Sequence, residues 1–541
     1  MTMAVQPATG LSNYLKLAEA SLRAGEILRA QKIAREASER GFEHPNLLVL
    51  AAYEYINAKD YDRALTLAGR ACELAPRSAD ALSVLGYCLT LVNRHAEAVT
   101  TLDKALRLTP AFAQAHFHKG LALERMGEVA RARRQYVRAA DLDPRHASAL
   151  GRSAYLAALQ GDMREASQLG NRALAVDRAN VYGALGVSLV EIDAGEPRKA
   201  IARLQPIATD AGVDATVRSV AFGVMADAED ELGRKAEAFS LYQACGEVLR
   251  KAYPPDQRET ALPRVQRLTR YFQTTSQQGW RQSAPAPSPV RTHAFLLGFP
   301  RSGTTLLEQV LAAHPDIEAM EERDCLIQSY PFLASDETLN RFAAMGPDDL
   351  APLRQSYWDE ARKAGMELSR PVFVDKMPLN SVPLCLIARL FPDSKIVFAL
   401  RDPRDVVFSC FRRRFGMTQQ MFELLTLESA ATYYNAVMTL CDIYRGRLAL
   451  SIMDVRYESL VEGFEAVSRN LCAFLDVPYR REMHDFVAAA QSRDIDTPSA
   501  AQIVKGLYSR GIGQWRNYRA QMKPVLPGLA PWVDRFGYGE N

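Results

Sequence analysis

The sequence predicts an all-α helical-repeat solenoid followed by a P-loop-type α/β domain with a central parallel sheet. Three observations predict it. Prolines and small residues recur every 34 residues through the first half. An apolar strand, a glycine-containing turn and an amphipathic helix follow one another in HAFLLGFPRSGTTLLEQVLAAH, residues 293–314. A second strand–turn–helix, KIVFALRDPRDVVFSCF, begins at residue 395. The chain has 541 residues, too many for one ordinary core, so at least two domains are expected.

Composition removes several classes. Hydrophobic residues make up 48% and charged residues 24%, the balance of a globular protein. A net charge of +3 gives no support to a nucleic-acid partner. No apolar run reaches the ~20 residues of a membrane span. The N-terminal stretch lacks a basic segment followed by an apolar one, so no signal peptide is expected and the predicted location is cytoplasmic. The 8 cysteines include no CxxC pair, which predicts buried thiols, no metal site and no disulfide framework.

The repeat period fixes the first half. Pro76, Pro110 and Pro144 share the 34-residue spacing, as do Ala64, Ala98, Ala132 and Ala166, and Ala71, Ala105, Ala139 and Ala173. Alanines at fixed offsets suit helices that cross closely, and the prolines end the second helix of each unit. Tyr136 fills a large position in one repeat. Residues 221–249 still read as a helical hairpin, with Gly233 at its turn and Ala238 at a crossing. This pattern resembles TPR proteins over residues 11–250. The resemblance implies a stacked array whose groove binds a protein or peptide, or else an oligomerisation or spacer module.

Residues 274–291 are rich in Ser, Gln, Pro and Ala and read as a linker. Trp280 within it either docks on a neighbouring surface or stays partly exposed. The second domain is expected over 292–541.

Its first motif is built for an anion. Backbone N–H groups of a glycine-containing turn and of the helix after it converge on one point. Here they come from Arg301, Ser302, Gly303, Thr304 and Thr305, with two added hydroxyls. Gly298 and Gly303 have the spacing of the nucleotide-triphosphatase loop, but Thr304 stands where that loop has its lysine. The cation has moved to Arg301, which argues against a P-loop kinase. PRSGTT after a strand resembles the 5′-phosphosulfate loop of sulfotransferases, in the form found in tyrosylprotein sulfotransferases and related bacterial proteins.

That resemblance covers about residues 292–525. It implies transfer of a sulfuryl group from 3′-phosphoadenylyl sulfate (PAPS) to an acceptor hydroxyl, leaving adenosine 3′,5′-bisphosphate and using no metal. It implies that Arg401 and Ser409 bind the 3′-phosphate, where an Arg fork and a hydroxyl suit that anion. The run Arg412–Arg414 reads mainly as a solvated basic face.

In HPDIEAMEERD (314–324), Glu322 matches the family's general base and Glu321 the Glu before it. Met320 replaces a glycine and Asp324 an arginine, which puts peptide-tyrosine specificity in doubt. His314 is a rival base, although its place at a helix end favours a structural role. Lys376 matches a lysine that stabilises the leaving group, with a plain ion pair to Asp375 as the other reading; Arg301 is its expected partner on the sulfuryl or phosphate oxygens. Tyr457 matches an adenine contact or is ordinary core, and Ser509 and Arg510 lie in a segment resembling the one that closes over the nucleotide. The competing reading is an inactive scaffold that only binds partners. The acceptor, a peptide tyrosine, a glycan or a small molecule, is not legible.

Overall fold

In the computed structural model the described residues are 8–253, 260–276, 278–281, 286–413, 415, 417–487 and 511–539. The chain forms two compact units, Met1–Glu196 and Pro197–Asn541. Among the described residues no helix is long and apolar enough to cross a membrane.

The first unit is a row of helices, α1–α11, running from Ala8–Arg23 to Val181–Asp193. Each packs on its successor, and α5 (Ala79–Leu91) also packs on both α3 (Pro45–Asn57) and α7 (Ala113–Arg125). The helices α4 (Tyr61–Leu74), α6 (His95–Leu108) and α8 (Val129–Leu142) stop just before Pro76, Pro110 and Pro144, which cannot continue the hydrogen-bond ladder. All eight period-marking alanines are completely buried. Gly120 shows the tolerance at these crossings: a Cβ there would lie 2.5 Å from Cε1 of Tyr136.

The second unit opens with α12 (Pro197–Thr209), α13 (Ala215–Glu231), α14 (Lys235–Ala252) and α15 (Ala261–Thr274). Gly233 turns α13 into α14 at φ 76°, and Ala238 is buried at their crossing. The short α16 (Gln278–Arg281) carries Trp280. Trp280 docks: only 4% exposed, it packs against Tyr271, Phe272 and Phe342, and its indole N–H donates to Tyr271 Oη at 3.3 Å.

Five parallel strands follow: β1 (Thr292–Gly298), β2 (Ile317–Glu321), β3 (Val372–Lys376), β4 (Lys395–Leu400) and β5 (Ser451–Arg456), in the order β2-β3-β1-β4-β5. Their central members are buried on both faces, so they read as unbroken apolar runs. The connections are α17 (Thr304–Ala312) after β1, α18 (Asp336–Ala344) and α19 (Pro347–Lys363) after β2, and α20 (Leu384–Leu390) after β3. After β4 come α21 (Pro403–Phe411), α22 (Gln419–Phe422) and α23 (Leu427–Arg447), and after β5 come α24 (Tyr457–Glu462) and α25 (Phe464–Phe474). The chain leaves β1 toward β2 on one side and passes from β3 to β4 on the other. The strand order therefore reverses between β1 and β4, where open α/β sheets bind ligands at the carboxyl ends of the strands.

The helices before the sheet share its core. Phe239 and Tyr242 of α14 pack on Phe411 of α21, and Val265, Leu268 and Phe272 of α15 join the same apolar cluster as β1 and α23.

Candidate active site at the carboxyl ends of the strands

The turn between β1 and α17 has an unusual backbone. Arg301 and Gly303 both have positive φ, 71° and 92°, in the left-handed region. Gly303 caps α17 and leaves no room for a side chain: a Cβ would lie 2.6 Å from Cδ2 of Tyr457. Ser302 N–H donates to Phe299 O at 3.2 Å, tightening the turn. Thr304 and Thr305, both buried, open the helix. The result is a helix N-terminus framed by a turn, an arrangement that favours an anion.

On the β4 side stand the arginines. Arg301 Nε donates to Ser409 Oγ at 3.1 Å, joining the turn to α21. Arg401 follows β4 directly and donates from Nη1 to Arg301 O at 3.1 Å and from Nη2 to Gly511 O. Its guanidinium lies over the Tyr457 ring, 5.0 Å from the centroid. Burial, then the charges of Arg413 and Arg401, press the Arg301 pKa down to about 9. Cations have thus been gathered here against their own repulsion.

On the other side of β1 lies a lysine among carboxylates. Lys376 ends β3 and is completely buried. Its Nζ lies 2.8 Å from Glu322 Oε1, 3.6 Å from Glu321 Oε1 and 3.7 Å from Glu308 Oε2. Burial opposes its charge, but Glu322, Glu308 and Glu321 outweigh that cost and raise its pKa. Glu322 is also left-handed, at φ 39°, and its N–H donates to Lys376 O at 2.8 Å, so the ends of β2 and β3 are tied by backbone and side chain together. Left-handed non-glycine residues cost about 1–3 kcal/mol and gather where a site needs them; Arg301 and Glu322 flank this one.

Several expectations need correction or placement. Lys376 does not pair with Asp375. Neighbours on a strand point to opposite faces, and Asp375 Oδ2 instead accepts from Tyr357 Oη at 2.7 Å. Arg412 is no solvated face: its side chain is 16% exposed, packs over the Phe408 and Tyr242 rings and pairs with Asp230. Arg414, Ser509 and Arg510 lie outside the described residues. His314 is fully buried, its Nδ1 accepting from Asp316 N–H at 3.0 Å and its Nε2 donating to Pro478 O at 2.8 Å. Both ring nitrogens are occupied by backbone, which leaves no lone pair for a substrate proton.

Two contributors escaped the sequence reading. Glu308 is one; its signal was a charged residue inside TTLLEQVLA, a helix buried at every position. Asp405 is the other. It accepts from Gly513 N–H at 2.6 Å and Trp515 N–H at 2.9 Å, pinning the C-terminal segment beside Arg401.

Strand order and connections define a C-terminal α/β domain built on a parallel five-stranded sheet. Residues 294–481 match the model described as the sulfotransferase family, and residues 49–116 and 117–180 match tetratricopeptide repeats. The stretch matching the repeats thus precedes the stretch matching the sulfotransferase family. It is 27% identical over 251 residues to an uncharacterized protein of Aquifex aeolicus, covering 44% of this chain and 32% of that one. It is 26% identical over 265 residues to a putative protein-tyrosine sulfotransferase of Caenorhabditis briggsae, covering 45% of this chain and 88% of that one. The chain thus spans about a third of the length of the first of these relatives and most of the second. A solved tetratricopeptide repeat protein from Parabacteroides merdae is 13% identical, with TM-score 0.32, covering 44% of this chain and 94% of that one.

Proposed function

We propose that residues 292–541 transfer a sulfuryl group from PAPS to an acceptor hydroxyl, with the repeats of residues 11–250 serving a protein or peptide partner. The observation that carries the reading is the division of the site about β1. Cations and a helix N-terminus stand on one side, and a lysine–carboxylate pair stands on the other.

The residues present fit a nucleotide with two phosphate positions. Arg401 Nε is buried without a hydrogen-bond partner, an orphan donor beside Arg301 and Ser409. Arg401 and Ser409 would hold the 3′-phosphate, and the Arg301–Thr305 turn the 5′-phosphosulfate. Tyr457, its ring under the Arg401 guanidinium, would contact the adenine. When bound, the donor supplies the sulfuryl group and a phosphate leaving group.

The chain's own residues do the rest. Glu322, 41% exposed in its side chain, is the carboxylate that an acceptor can reach, and it takes the hydroxyl proton. Once protonated it is neutral and loosens its hold on Lys376. The lysine charge is then free to offset negative charge on the oxygen left behind. Arg301 supports the same oxygens. The base and the cation are thus coupled through one ion pair.

A thermal-shift titration with adenosine 3′,5′-bisphosphate tests this. At about 100 times Kd the ligand should add ~2.7 kcal/mol to the stability of the unit that binds it. Arg401→Ala should abolish the shift. A shift with ATP–Mg²⁺ alone would move the assignment to a kinase, and no shift in folded protein would move it to a binding scaffold. A bisphosphate shift justifies an acceptor screen over peptide tyrosine, glycan and small phenol.

A further inference from the structure

The hairpin α13–α14 has the sequence of a repeat, yet its inner end reaches the donor side of the active site. Asp230, in the last turn of α13, makes three contacts. It accepts from Tyr518 Oη, it pairs with Lys235 Nζ, and its Oδ2 lies 3.8 Å from Arg412 Nη1. Tyr518 ends the short 3-10 turn Gln514–Tyr518, and its ring lies 4.4 Å from that of Phe408. Phe408 is the neighbour of Ser409, which accepts from Arg301. Arg412 lies over the same Phe408 ring and reaches Gln514 Oε1 at 3.4 Å. One carboxylate from the hairpin therefore holds both the carboxyl end of α21 and the C-terminal segment. Asp405 holds that segment from the other side, through the N–H groups of Gly513 and Trp515. Gly511, two residues before Gly513, accepts through its carbonyl from Arg401.

We infer that Asp230 is a positioning residue for the donor site: from the repeat-like hairpin it sets the place of the segment 511–518 against Arg401 and Ser409, and so sets donor affinity. The inference rests on the sulfuryl-transfer reading for the identity of the donor. The apolar contacts of Phe239 and Tyr242 on Phe411 hold the hairpin in place independently of Asp230. Loss of the carboxylate should therefore loosen the segment and leave the fold standing.

The test uses the full chain as Asp230→Ala, Asp230→Glu, Tyr518→Phe and the Asp230→Ala/Tyr518→Phe pair, with Gln243→Ala on the exposed face of α14 as control. Two readouts are taken: calorimetric Kd for adenosine 3′,5′-bisphosphate, and amide hydrogen exchange of Gly513 and Trp515 without ligand. Asp230→Ala should weaken binding by about tenfold, Tyr518→Phe by somewhat less, and the pair by less than the product of the two. Asp230→Glu should recover most of the loss, and Gln243→Ala should bind as wild type. Exchange at Gly513 and Trp515 should quicken in Asp230→Ala. In turnover, KM for the donor should rise more than kcat falls. A merely structural residue would lower thermal stability and leave Kd and the exchange pattern alone, and that result overturns the inference. Should Asp230→Ala fail to fold, Tyr518→Phe, which removes a single oxygen, decides in its place. If wild type does not bind the bisphosphate, the donor reading falls and takes the claim on affinity with it, while the exchange data judge the anchor by themselves.

Discussion

Lys376 Nζ and Glu322 Oε1 lie 2.8 Å apart at the adjoining ends of β3 and β2, the lysine side chain fully buried and that of Glu322 41% exposed. If the two act as a unit, Lys376→Met and Glu322→Gln should each lower kcat by roughly 10²- to 10⁴-fold, and the double variant should lose little more than the worse single. Kd for the bisphosphate should change less than about threefold in both, because neither side chain stands on the arginine side. Single-turnover rates with the acceptor found in the screen check this.

Gly303→Ala should cost stability directly. Its φ of 92° disfavours any side chain, and the new Cβ would lie 2.6 Å from Tyr457 Cδ2. A loss of about 1–3 kcal/mol is expected by denaturant unfolding. Adding Tyr457→Ala should not restore the loss in full, because it removes the clash and leaves the backbone strain.

Asp375 gives a pH signature. Burial raises its pKa from 3.8 to about 7, against the opposing hydrogen bond from Tyr357. The folded state then holds a proton that the unfolded chain releases between these two values. This group's contribution is fully present below pH 3.8 and is lost as pH rises through about 7. Asp375→Asn, which can still accept from Tyr357, should therefore melt higher than wild type at pH 8 and nearly the same at pH 4. A pair of melting curves at each pH decides it.

His314→Gln should separate structure from chemistry. Both ring nitrogens bond backbone groups, at Asp316 and Pro478. The variant should lower the melting temperature by a few degrees while the shape of the pH–rate profile stays that of wild type. Loss of one limb of that profile would return His314 to the list of bases.

Local order made much of this site legible. Strand, turn and helix sit next to one another in PRSGTT, and Arg401 with Ser409 in RDPRDVVFS, so their neighbourhood is written in short stretches of chain. The partner of Lys376 was missed although strand alternation already places Asp375 on the opposite face. Glu308 needed the register of α17 over β3, and Asp230 needed the packing of a hairpin far away in sequence. Neither leaves a periodic trace. The arginine run misled for a related reason: three basic residues in a row look solvated until a carboxylate and aromatic rings arrive from elsewhere to bury Arg412.

The meeting of α14 with the loop before α23 is so close that a Cβ at Gly246 would fall 1.9 Å from Leu425 O. Cys245, Leu249, Phe411, Met421 and Leu424 line the same seam. A gene fragment begun at the proline-rich stretch would therefore encode the sheet domain with a bare greasy scar where a helix belongs, and it should aggregate on expression. By the same logic, recombination that moves the sheet domain to a new protein must carry the last hairpin along. The inheritable cassette is longer than the sheet and the helices that connect its strands.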